Sequence, residues 1–241
     1  MLIVILCIIA ALVWYLPVFL KQSKTDRLPG KTSIISVLTG AFPVMIVALI
    51  LQIAVSFAMR AMEIKGALYN FCDAFISAAL IEEGLKFLAA YIIVKKVKTQ
   101  NKIHYILIFG AVGAGFMITE NVMKSGSVLG SVLGAIFAFH IIWQYWMGMY
   151  FFEYSQAKQI GDKSKAGKNL TLALGVPFLI HGLNDFIAFV AEPLSAGEIT
   201  DQEAYILLAL MGWIVLMIVF VIITMRKVIK TEKEWKDKTE N

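Results

Sequence analysis

Apolar stretches of roughly 20 residues recur along almost the whole chain, near 2–20, 33–59, 67–94, 103–122, 127–152, 169–191 and 204–225. A helix that crosses a bilayer needs ~20 mainly apolar residues. Seven such stretches in 241 residues leave room only for short connections. The pattern therefore predicts an all-α, polytopic transmembrane helix bundle of about seven spans. Composition agrees, with 59% hydrophobic and 16% charged residues, against ~45–50% and ~25% in soluble domains. A water-soluble globule of this size would leave much of that apolar surface wet. That excludes a soluble dinucleotide-binding enzyme, a disordered tail and a nucleic-acid binder. The longest non-apolar stretches, loop 153–168 and the C-terminal tail, are too short for a core. The chain reads as a single integral membrane domain over 1–241, placed as a multi-pass protein of the cell membrane.

The first stretch is too long for a signal-peptide core, has no basic n-region and ends at Lys21 without a small-x-small cleavage site; it reads as a retained helix. The second and third are long and must tilt, kink or protrude, with Pro43 a kink candidate. Cys7 and Cys72 lie in apolar stretches outside any CxxC and read as buried small hydrophobes. Eighteen of the 22 Lys and Arg fall in loops 21–31, 95–102 and 153–168 and in the tail from Arg226. The alternate loops hold only Arg60, Lys65 and Lys124, and loop 192–203 is purely acidic. The positive-inside rule then predicts an outside N-terminus and a cytoplasmic C-terminus, with the bilayer as the chain's surroundings.

One lysine, Lys86, lies inside a span, beside Glu82 and Glu83. Glu120 lies in the fourth span, His140 in the fifth, and His181 with Asp185 in the sixth. A mid-membrane charge costs at least ~2.5–3.5 kcal/mol on insertion scales, so such groups must face one another or a watery cavity. Glu82 and Lys86, Phe116 and Glu120, and His181 and Asp185 are each four apart and share a helix face. Glu82 lies 13 residues before Lys95, His140 13 before Glu153, and His181 13 after Lys168. At ~1.5 Å per residue these groups stand ~18–20 Å above the inner boundary, slightly outside the midplane, with Glu120 and Asp185 about one turn further out. Four carboxyls against one lysine leave a negative excess that a low-dielectric site cannot hold. Protonation, charged histidines or a bound cation would relieve it, and each suits a reactive site.

Other features are given blander readings. The segment GSVLGSVLG spaces Gly126, Gly130 and Gly134 four apart beside Ser127 and Ser131, and Gly110–Gly115 is similar. Both read as close helix packing in lipid. His104 at a span start receives no role, Asp73 reads as a helix-end polar group, and Trp143, Tyr145 and Trp146 as bundle filling. Trp213 and Trp235 carry no clear chemistry.

The charged positions fall into short patterns. IEEGLKF contains EExxK (Glu82, Glu83, Lys86), GFMITEN contains FxxxE (Phe116, Glu120) followed by Asn121, and HGLND contains HxxxD (His181, Asp185), with His140 between the last two. This order over residues 80–186, within a motif-bearing core of about 67–191, resembles the PrsW family of membrane-embedded proteases. That family belongs to the wider superfamily of CAAX-processing and bacteriocin-processing proteases. The wider group often carries EExxxR, FxxxH and HxxxN. Here the lysine comes one residue earlier than that arginine, Glu120 stands for the histidine and Asp185 for the asparagine. These variants favour the PrsW branch over a prenyl-protein endopeptidase.

The resemblance implies hydrolysis of a peptide bond in a single-pass membrane protein, with an anti-sigma factor cut on its extracytoplasmic side as the best-known case. Amide hydrolysis needs an activated water, an oxyanion stabiliser and an acid for the leaving amine. Glu82 is the expected general base, Glu83 a second carboxylate, and Lys86 the group that holds both. His181, oriented by Asp185, would stabilise the oxyanion or bind a metal, and Glu120 and His140 complete the ring. No cofactor is expected on the favoured glutamate route. The alternative is zinc held among Glu82, Glu120, His140 and His181, although HExxH is absent. A rival class is a proton- or ion-coupled transporter using the same buried groups. Paired halves with inverted symmetry are not evident in the sequence.

Overall fold

A computed structural model describes residues 2–22, 25–123, 138–191 and 201–240. These residues form seven helices and no strand: α1 (Leu2–Leu20), α2 (Gly30–Ala61), α3 (residues 66–97), α4 (Lys102–Met123), α5 (Phe139–Gln159), α6 (Lys163–Ala191) and α7 (Asp201–Glu240). Helix is the form an apolar stretch must take in lipid, because every backbone group is then satisfied within the segment. Four of the helices are long and apolar enough to cross a membrane: Gly30–Ala61, Lys102–Met123, Lys163–Val190 and Tyr205–Asp237. Helix α3 joins the bundle with Glu82, Glu83 and Lys86 inside it. Helix α7 continues beyond the expected apolar span 204–225 and carries the basic tail as helix to Glu240. The GSVLGSVLG segment lies outside the described residues.

Helix α4 is the axis of the bundle, buried along most of its length. Its small residues allow this. A Cβ built on Gly113 would overlap the His140 carbonyl oxygen on α5, and one on Gly115 the Val37 carbonyl oxygen on α2. The Gly110–Gly115 stretch thus packs the helices tightly, as its spacing predicts. Opposite it, Gly40 of α2 sits close to the Val112 carbonyl.

Two helices carry a π-helical segment. In α2 it covers Gly40–Val44 and contains Pro43, whose missing N–H breaks the i→i−4 ladder. Thr119 of α4 donates its hydroxyl to the Ala41 carbonyl at 3.0 Å, so the loosened turn keeps a polar partner. In α3 the segment is Asp73–Leu80, between Gly66–Cys72 and Ile81–Val97. Cys7 is buried as expected, whereas Cys72 is only half-buried.

Candidate active site

The π segment of α3 sets up the wall of the site. Asp73 and Glu82 are nine residues apart, ~2.5 turns of an uninterrupted α-helix, which would put them on opposite faces. The wider i→i+5 turn removes that half-turn. Tyr69, Asp73, Ser77 and Glu82 therefore line one cavity of about 450 Å³. Helix α2 closes it with Met45, Gln52 and Ser56, helix α4 with Phe116 and Glu120, and α6 with Asp185. Asp73, read from sequence as a helix-end group, belongs to this wall.

At the inner end of the cavity all seven residues singled out in the sequence come together from four helices. The centre is the Lys86 ammonium, fully buried (0% exposed). It donates to Glu82 Oε2 at 3.2 Å, to Glu83 Oε1 at 2.9 Å and to His140 Nδ1 at 3.0 Å. It also stands 3.8 Å from the centre of the Phe116 ring, a cation–π contact that gives the FxxxE phenylalanine its place. An ammonium has donors only. With Lys86 charged, His140 Nδ1 must accept, which leaves the ring proton on Nε2, 2.6 Å from Glu120 Oε2. This tautomer is inferred from the hydrogen-bond pattern.

The two adjacent glutamates have different surroundings. Glu83 is saturated: Oε1 meets Lys86 and His181 Nδ1 (2.9 Å), and Oε2 accepts from Gln144 Nε2 at 2.7 Å. Glu82 accepts from Gln52 Nε2 at 3.0 Å and turns to the cavity. His181 bridges the pair, its Nε2 lying 3.8 Å from Glu82 Oε2 and 3.4 Å from Asp185 Oδ2. Asp185 thus lies beside His181 as their four-residue spacing predicts.

Three residues of the site were not singled out in the sequence. Gln52 is the lone amide in the apolar run of α2, and Gln144 follows His140 by four residues on the same face. Both are signals of the kind that exposed the charges. Trp143, read as filling, stacks on His181 with ring centroids 4.8 Å apart and meets His140 edge-on at 5.0 Å. An aromatic among many aromatics gives no such signal. His104 bonds Thr99 and the Asp26 carbonyl, away from the cavity.

Glu82, His140 and His181 can each bring one ligand atom within 4.8 Å of the other two. One carboxylate and two imidazoles are a donor set suited to zinc. Glu120 lies one contact away, on His140. Both ring nitrogens of His140 are already engaged, so a metal there requires Lys86 or Glu120 to release one.

The family model described as PrsW family intramembrane metalloprotease matches residues 29–225. A curated relative, "Protease PrsW" of Oceanobacillus iheyensis, is 32% identical over 122 residues, covering 48% of this chain and 54% of the relative. The chain thus spans about half the length of the curated relative it matches. No solved structure matches it.

Proposed function

Since the chain belongs to the PrsW family of intramembrane proteases, we propose that it is a multi-pass endopeptidase of the cell membrane that cuts a single-pass membrane protein. The observation that carries this reading is the division of labour between neighbouring glutamates. Glu83 is pinned by three partners, and Glu82 faces a 450 Å³ cavity. A carboxylate held by one amide and one ammonium, yet open to a cavity, is placed to handle the protons of a water.

In this reading Glu82 takes a proton from water as its oxygen attacks the scissile carbonyl carbon. The Glu82 carboxyl then returns the proton to the leaving amine as the C–N bond breaks, so one water yields a carboxylate and an amine. His181, held to Glu83 through Nδ1 and with Nε2 3.8 Å from Glu82 Oε2, would stabilise the developing oxyanion. Lys86 and Glu83 keep the carboxylates and His181 in register. The substrate would be an anti-sigma-factor-like protein cut towards its extracytoplasmic side, with the N-terminus of this chain outside and seven spans in all. No nucleic acid takes part.

A second reading rests on the donor set Glu82, His140 and His181. Zinc held there would supply Lewis acidity toward the scissile carbonyl. The favoured metal-free route predicts that a chelator leaves cleavage of a co-reconstituted single-pass protein intact. Loss with chelator and recovery with zinc would establish the metal route instead. The reading as a whole is tested by comparing the membrane proteomes of cells carrying wild type or Glu82→Gln. A truncated single-pass protein present only with wild type is expected, and identical proteomes would overturn it.

A further inference from the structure

A second pocket, of about 510 Å³, lies at the lysine-rich end of the bundle. It is built by the last turns of α3 and α5, the two helices that carry Glu82, Glu83, Lys86 and His140. Its rim is cationic. Lys95 and Lys98 come from the end of α3 and Lys158 from the end of α5, all three exposed. Its inner surface is aromatic, with Tyr91, Tyr105, Phe151 and Tyr154. Lys95 Nζ stands 5.7 Å from the Tyr91 ring centre and Lys158 Nζ 5.8 Å from that of Tyr154, so two of the lysines are drawn over this surface.

No Asp or Glu is among the residues described as lining this pocket. Glu153, on the same helix as Lys158, is engaged by Lys102 at 2.6 Å. The wall between the helices is held in place. Lys98 ends α3 in the left-handed region (φ 55°), Asn101 N–H donates to Thr99 Oγ1 at 3.0 Å, and Gln156 Nε2 donates to Gln100 Oε1 at 3.1 Å. Three like charges around one concavity repel one another, and a compact anion accepting from all three would relieve that. The hydroxyl of Ser155 and the amide of Gln159 add donors on the α5 side. The aromatic surface suits an apolar body attached to the anion.

We infer that this pocket binds a phosphate-bearing anion. The phosphate comes either from the headgroup of an anionic phospholipid in the adjoining leaflet or from a small soluble compound. Basic pockets between membrane helices hold lipid headgroups by the same physics. Bound there, the anion ties the end of α3 to the end of α5 and braces the two helices that meet at Lys86.

The test uses the full chain purified in neutral detergent, with binding read by native mass spectrometry and by thermal shift. The probes are phosphatidylglycerol and inorganic phosphate. One phosphatidylglycerol is expected to remain bound to wild type and raise its melting temperature. The triple variant K95Q/K98Q/K158Q should bind about a hundredfold more weakly, at roughly one surface-lysine contribution per residue lost. The control triple K163Q/K165Q/K168Q, at the start of α6, should bind as wild type does. Inorganic phosphate bound by wild type and lost in the pocket triple, with phosphatidylglycerol indifferent, upholds the site and assigns its ligand to the soluble source. Failure of both probes to bind wild type overturns the proposal. So does a pocket triple as tight as wild type, or a control triple as weak as the pocket triple.

Discussion

Glu82 and Glu83 share a sequence neighbourhood and differ in what they touch, so substituting each should have a different effect. Glu82→Gln keeps the side-chain shape beside Gln52 and is expected to lower turnover by ~10²–10⁴ with the melting temperature close to wild type. Glu83→Gln disturbs contacts with Lys86, His181 and Gln144 together. It should lower the melting temperature as well as turnover. Parallel cleavage and thermal-unfolding assays on the two variants separate these outcomes. Lys86→Met removes the ammonium from which both carboxylates accept. Leaving buried charge unpaired costs about 3–5 kcal/mol, so this variant should unfold at markedly lower temperature in detergent, whatever its activity. The seven ionisable positions were legible in the sequence because charge in an apolar run is expensive and therefore conspicuous. Gln52 and Gln144 cost less to bury and were passed over. Trp143 looked no different from the other aromatics, and nothing in its spacing announced that it stacks on an imidazole.

At the scale of single helices, the departures from regularity shape the site. The seven apolar stretches could be read from composition and length, and Pro43 marked the turn of α2 that becomes π-helical. The π segment Asp73–Leu80 could not, since it holds neither proline nor glycine and an extra residue per turn leaves no mark on hydropathy. Deleting Ala79 should convert that segment to an ordinary α-helix and rotate Tyr69, Asp73 and Ser77 by ~100° relative to Glu82. Cleavage of the single-pass substrate should be lost while circular dichroism shows unchanged helix content. Retained cleavage would mean that the wall formed by these three residues is dispensable. Gly115→Val addresses the packing that brings α2 to α4. The added carbons have no space beside the Val37 carbonyl, and overpacking of this kind costs ~1–3 kcal/mol. A lowered melting temperature is expected, with some loss of turnover as Glu120 shifts relative to Gln52.

For the molecule as a whole, the proposed orientation follows from the lysine distribution and can be checked directly. In intact cells a cysteine placed between positions 192 and 200 should react with a membrane-impermeant maleimide. One placed at Lys163 should react only after the membrane is opened; the reverse pattern would invert the topology. The Lys86 ammonium has a further consequence for biogenesis. Its partners reside on three different helices, and in the proposed seven-span topology α3 reaches the bilayer before α4 and α5 have left the ribosome. During that interval Glu82, Glu83 and Lys86 can neutralise one another only along a single helix face, with Phe116 and His140 still absent. Nascent chains cut off after residue 97 should therefore slip back out of the translocon far more readily than chains ending after residue 160, and be cleared by quality-control proteolysis.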